Sequence, residues 1–200
     1  MLAEGGSFRT RSGRLIADRR TCALPGDHNA GNAALALTAA LHLGLDPGIA
    51  GIRLAFLQPL PHRLQTVHEA GDLRFVDDSI ATNPVSTLAA IDAVDGPLAV
   101  LLGGGDKGAA WDGLAAALKR RGATSVCLGT TGPRIHAALC ATGVPSHLVA
   151  NLAQAVPAAV RTLAGVGTVL LSPACASTDQ FRDFAHRGEE FARLARLHLG

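Results

Sequence analysis

Leu98-Ala99-Val100-Leu101-Leu102, followed at once by Gly103-Gly104-Gly105, is the stretch whose reading decides the fold. An unbroken apolar run of this length, closed by glycines, describes a strand buried on both faces and ending in a tight loop. A helical pattern follows over residues 111–119. The same order recurs towards the C-terminus: a strand at 124–128 with a helix at 132–139, a strand at 147–150 with a helix at 152–163, and a strand at 168–171 with a long amphipathic helix over 179–197. Towards the N-terminus, 64–70 and 73–77 read as a hairpin around Gly71-Asp72, and a helix begins near Pro84. Strands alternating with helices predict an α/β fold, a Rossmann-like, doubly wound and mainly parallel sheet. Ligands in such sheets bind outside the carboxyl ends of the strands, which selects 78–83, 103–107, 129–131 and 172–177.

Residues 1–56 read differently. Residues 1–25 are polar and irregular, with Ser12-Gly13 as a turn between short strands at 7–10 and 14–16. Residues 29–43 are helical in period and stop at Gly44, and 48–56 form a shorter helix. The segment Leu57-Gln58-Pro59-Leu60-Pro61 cannot extend it, because proline lacks a donor and fixes φ. After Pro61 the pattern changes to the strands and helices described above.

Apolar residues make up 48% of the 200 positions and charged residues 17%, which describes a folded chain. A formal net charge of +2 gives no electrostatic reason to expect a nucleic-acid or membrane partner. No apolar run approaches the ~20 residues that span a bilayer, and the N-terminus has no signal-peptide core, so a cytoplasmic location is expected. Cys22, Cys127, Cys140 and Cys175 lack metal-ligand spacing and read as structural thiols, those at 127 and 140 as buried ones.

Five short motifs carry chemistry. Asp27-His28-Asn29-Ala30-Gly31-Asn32 opens a helix; Asp27 or Asn29 suits its N-cap, and the Asn32 amide has the donor and acceptor that an adenine edge requires. His62-Arg63, after a rigid proline segment, presents a guanidinium fork suited to oxyanions, or else a solvated charge. Asp77-Asp78-Ser79-Ile80-Ala81-Thr82-Asn83 sets two carboxylates and small polar groups at a strand end; Thr82 or Asn83 also serves as a helix cap before Pro84. Gly103-Gly104-Gly105-Asp106-Lys107-Gly108 offers amides and one ammonium to an anion, or is a plain tight turn. Leu171-Ser172-Pro173-Ala174-Cys175-Ala176-Ser177 leads towards a helix N-terminus able to receive a carboxylate. Cys175 has no histidine partner in sequence context that would make it a nucleophile. Neither a P-loop nor the G-x-G-x-x-G of nicotinamide-dependent oxidoreductases occurs in the chain.

In this order and spacing the motifs resemble the Mur ligases, in the branch that adds glutamate to UDP-N-acetylmuramoyl-L-alanine during peptidoglycan synthesis. The resemblance runs from Leu24 to Leu197 and is carried by G-x-H-N-x-x-N (Gly26 to Asn32), L-P-H-R (Leu60 to Arg63), D-D-S-x-A-T-N (Asp77 to Asn83), G-G-x-D-K-G (Gly103 to Gly108) and L-S-P-A-C-A-S-x-D-Q-F (Leu171 to Phe181). It implies an ATP- and Mg²⁺-dependent amide ligation, in which an acyl phosphate is attacked by the amine of D-glutamate. It further implies that Asn32, His62, Arg63 and Asp78 face ATP. Thr82, Lys107, Ser177 and the backbone around Phe184 would then hold the glutamate carboxylates.

The family also has a UDP-binding domain and a central ATPase domain carrying the phosphate loop and metal ligands. The expectation is that this chain holds the end of the ATPase domain (1–56) and the glutamate-binding domain (57–200). It would then have no metal site and no independent catalytic residue, would be inactive alone, would expose apolar surface on 1–56, and could need a separate N-terminal half as partner. Ile80 stands where the D-glutamate enzymes usually carry lysine. With the segment 60–65 and Trp111, it resembles a variant subgroup that adds L-glutamate. A non-catalytic Rossmann-like binding module, or one half of a split enzyme, is the remaining alternative.

Overall fold

The computed structural model describes residues 2–4, 6–22, 24 and 27–198. The chain forms two compact units, Met1–Pro59 and Leu60–Gly200. In the first, strands β1 (Leu2–Glu4), β2 (Ser7–Arg9) and β3 (Leu15–Asp18) make a small antiparallel sheet in that order. The expected strand pair flanking Gly13 is present as β2 and β3, and β1 adds a strand that the polar sequence did not announce. Helices α1 (Asp27–His42) and α2 (Pro47–Leu54) follow. The Asp46 carboxylate caps α2 by accepting from the Gly48 and Ile49 amides at 2.8 and 3.1 Å, with Pro47 in the first turn. Asn29, considered as a cap, lies inside α1 instead; Gly26 and the side chains of Asp27 and His28 lie outside the described residues. Phe8, Ala17, Leu37, Ala50 and Leu54 form a buried cluster. Leu35, Leu43, Ile52 and Phe56, on or beside the two helices, are 65–86% exposed, a dense apolar surface for so small a unit.

The second unit contains β4 (Gln65–Ala70), β5 (Leu73–Asp77), α3 (Pro84–Ala93), β6 (Leu98–Leu102), α4 (Asp112–Arg121), β7 (Thr124–Cys127), α5 (Gly132–Ala141), β8 (Ser146–Leu148), α6 (Leu152–Leu163), β9 (Gly167–Leu171) and α7 (Phe184–His198). The sheet order is β4-β5-β9-β6-β7-β8; β4 is antiparallel and every other pairing is parallel. Period-two alternation sends Val76, Val100, Leu102 and Leu170 to one face, against Ile91, Leu114, Leu118, Ile135 and Leu139 from α3, α4 and α5. Phe75, Ala99, Leu101, Val169 and Leu171 face the other way, against Val156, Phe191 and Ala195 from α6 and α7. Each fully buried large side chain contributes on the order of 2 kcal/mol. Burial on both faces is why β6 reads as a continuous apolar run.

Two expectations need correction. The last helix begins at Phe184 rather than 179: the Ser177 carbonyl accepts from Gln180 and Phe181 in a turn, and the Asp183 carboxylate caps α7 through the His186 amide at 2.8 Å. Cys140 is exposed, because it lies on the outer face of α5, away from Ile135 and Leu139. Cys22, Cys127 and Cys175 are buried.

Candidate functional site

The carboxyl ends of β5, β6, β7 and β9 converge, and hydrogen bonds between their loops fix them together. Asp78 N donates to Leu171 O at 2.8 Å and Ala174 N to Ala81 O at 3.0 Å, joining the loops after β5 and β9. Gly103 N reaches Pro173 O and Gly105 N reaches Ala176 O, both at 2.9 Å. Thr131 closes the third side: its hydroxyl accepts from Gly104 N at 3.1 Å and donates to Gly104 O at 3.0 Å. The Asp179 carboxylate accepts from Thr130 N at 3.0 Å.

Lys107, exposed at the tip of the glycine loop, sets its ammonium 3.4 Å from the Thr82 hydroxyl. These two predicted residues come from different strand ends and meet. Asp106 shapes the tip by accepting from Gly108 N at 2.8 Å and from Arg134 at 2.5 Å; the Gly108 amide foremost, with Arg134, holds its carboxyl below the usual range. The Arg134 guanidinium lies 5.0 Å over the Trp111 ring, a cation–π contact. Ser177 is buried in the loop after β9, and Phe184 opens α7.

The His62–Leu64 turn is left-handed at both ends, with φ of 62° at His62 and 46° at Leu64, and it exposes Arg63 between them. Such backbone is costly outside glycine and persists where neighbours fix it. Here His62 O accepts from Ile80 N, His62 Nδ1 lies 2.7 Å from Asp77 Oδ2, and the Phe184 ring meets the imidazole edge-on at 6.0 Å. Behind the pair, Gly188 on α7 sits so close that a Cβ there would collide with both His62 Nδ1 and Asp77 Oδ2.

Asp78 turns inward. Ser172 Oγ donates to its Oδ2 at 2.7 Å and Leu64 N to its Oδ1 at 3.3 Å. Burial outweighs these bonds and the nearby Arg63 charge, and pushes its carboxyl from 3.8 up to about 6; burial likewise raises Asp77. Between about pH 4 and 6 the folded chain therefore binds a proton that the unfolded chain has released, so stability falls as pH rises through that window. The cost at neutral pH is on the order of 3 kcal/mol at most. Thermal unfolding of the native chain and of Asp78→Asn is expected to show the native chain gaining relative stability from pH 7 to pH 5. A difference independent of pH would place the Asp78 titration elsewhere.

Asn32 belongs to the first unit, exposed on α1, where its amide donates to Asn29 Oδ1 at 3.2 Å. The sequence reading passed over Arg187, which is 2% exposed on α7. A signal for it was present: Arg187 lies one helical turn before Phe191 and two before Ala195, on the face of α7 that packs inward, where a charge is out of place. Among the described residues no group of three or more His, Cys, Asp or Glu side chains is placed to hold a metal ion. No helix among them is long and apolar enough to cross a membrane.

A doubly wound sheet whose strand ends gather a lysine, hydroxyls and a glycine loop defines a ligand-binding α/β domain. Residues 62–175 match the Mur ligase, glutamate ligase domain family, and the chain belongs to that family. It is 41% identical to the UDP-N-acetylmuramoylalanine–D-glutamate ligase of Yersinia pseudotuberculosis, over 92% of this chain and 42% of that protein. It is 39% identical to the UDP-N-acetylmuramoyl-L-alanine–L-glutamate ligase of Salinispora tropica, over 91% of this chain and 42% of that one. The chain thus spans about two fifths of the length of these relatives. The solved UDP-N-acetylmuramate-alanine ligase of Thermotoga maritima shares the fold, with a TM-score of 0.62 at 16% identity over 88% of this chain and 39% of that one.

Proposed function

We propose that this chain is the amino-acid-binding end of an ATP-dependent ligase that joins D-glutamate to UDP-N-acetylmuramoyl-L-alanine in the cytoplasm. The observation that carries the reading is the meeting of Lys107 and Thr82 at the carboxyl end of the sheet, beside the loop that bears Ser177. An ammonium with hydroxyl and amide donors is the chemistry a dicarboxylate needs. The Phe184 backbone, at the start of α7, adds a helix N-terminus to the same end. Arg63, exposed beside the His62–Asp77 pair, supports an ATP-facing role for His62 and Arg63, with the buried Asp78 acting behind them through the Leu64 amide. Asn32, exposed on the first unit, keeps its adenine-facing role on the family resemblance alone. In this reading the first unit is the end of the ATPase domain, and Mg²⁺ is held by residues this chain does not supply.

L-glutamate is the second reading, favoured by Ile80 in the 78–83 loop and by the 39% identity to the Salinispora enzyme. The test is phosphate release from ATP with UDP-N-acetylmuramoyl-L-alanine, with D- and then L-glutamate. The chain is assayed alone and mixed with an N-terminal ligase half. Release only in the mixture, with D-glutamate preferred, is expected. Preference for the L form would move the chain to the second reading, and a folded mixture without glutamate-dependent release would overturn both.

A further inference from the structure

Arg187 is a fully buried guanidinium whose five N–H groups are all used. Nε donates to Ser79 Oγ at 2.9 Å, and Nη2 to Ser79 O at 2.9 Å and Cys175 O at 3.3 Å. Nη1 donates to Cys175 O at 3.2 Å and Ala176 O at 3.1 Å. Every acceptor lies in the loop after β5 or the loop after β9. No carboxylate stands within ion-pair distance of it among the described residues; Asp77 and Asp179 act on it only through space. Burial lowers its pKa to about 10, which still leaves it charged at neutral pH. A side chain needed only to fill this space would be better apolar, since burying a charge without a counter-ion is costly. A lysine could not reproduce the arrangement, because its three donors do not form a planar fork.

We propose that Arg187 is a positioning residue of the amino-acid pocket: it locks the loop bearing Thr82 to the loop bearing Ser177. The inference rests on the reading of that pocket as a glutamate site. By holding the Ser79 and Cys175–Ala176 carbonyls on one plane, it fixes the spacing of two glutamate-facing hydroxyls without touching the ligand.

The test uses the full chain with Arg187→Lys and Arg187→Ala. Backbone amide exchange is followed by NMR in both loops and in β6 and β9, and D- and L-glutamate are titrated separately. Expected are unchanged protection of the central strands and at least tenfold faster exchange in both loops together. Glutamate affinity should fall at least tenfold in both variants, and millimolar methylguanidinium should restore much of it to Arg187→Ala. A merely structural role would not give that rescue. Loop protection and glutamate affinity within twofold of the native chain in Arg187→Lys would overturn the proposal, as would loss in Arg187→Ala that methylguanidinium leaves untouched. If the native chain binds neither enantiomer, the glutamate reading fails, and this deepening of it fails too; the loop exchange then still decides whether the lock itself exists.

Discussion

Replacing Lys107 with alanine is expected to weaken glutamate binding about ten- to a hundredfold while leaving the melting temperature nearly unchanged. The two halves of that result have separate causes. The ammonium is exposed, and its hydrogen bond in the structure is a long one to Thr82, so folding depends little on it. The loop that carries it is held by other groups: the Gly103 and Gly105 amides on the carbonyls of 173 and 176, and Asp106 on the Gly108 amide. Alanine at 107 thus removes the cation and leaves its platform in place. Raising the salt concentration should narrow the difference between the two proteins, as screening weakens an exposed charge. Titration calorimetry of the native chain and the variant checks this. Affinities within twofold would remove Lys107 from the carboxylate-binding set.

The second large effect concerns Gly104. Its φ of 147° is one that side chains rarely adopt, and an added Cβ would strike the Ala176 carbonyl oxygen and lie 3.2 Å from Arg187 Nη1. The carbonyl belongs to backbone fixed by Gly105 and Arg187 and cannot step aside cheaply. Strain and overpacking together make Gly104→Ala destabilising by roughly 2–6 kcal/mol. Gly108→Ala is the control, since φ there is also positive (71°) but nothing lies within 4 Å of the new Cβ. It should cost only about 1 kcal/mol. Equal losses in thermal unfolding would mean that backbone conformation alone matters at 104, and that the strand-end loops are not packed as tightly as described.

The sheet was legible because β6, β7 and β9 are buried on both faces and their apolar runs carry no competing signal. β1 was not, since a segment of three residues gains strand character only by pairing with β2. The start of α7 was misjudged for a related reason. Residues 179–183 suit a helix in composition, yet Asp183 offers its carboxylate to the His186 amide, and the turn at Ser177 uses up the preceding donors. Within the site, the glycine loop and the family resemblance pointed to Lys107 and Thr82, but only the fold could bring residues from separate strand ends to 3.4 Å. Arg187 escaped because its partners are mostly backbone carbonyls, which leave no trace in a sequence. Asp78 shows the opposite limit: its place at a strand end was plain, while its inward turn towards Ser172 was not.

The position of β9 has a consequence for how the molecule comes into being. It is the last strand of its unit in the chain, yet it lies in the middle of the sheet, between β5 and β6. Arg74 on β5 and Thr168 on β9 touch across 94 positions of sequence. Until 167–171 has left the ribosome, β5 and β6 have no common neighbour, and the apolar flanks of both stand open to water and to other chains. Forming this centre requires closing a long loop before any reward is collected, which makes folding slow and dependent on a strand that is synthesised after all its neighbours in the sheet. A nascent chain halted before Gly167 should therefore be a client for chaperones, its strand ends not yet gathered, because the strand that joins them is the last of the sheet to be made.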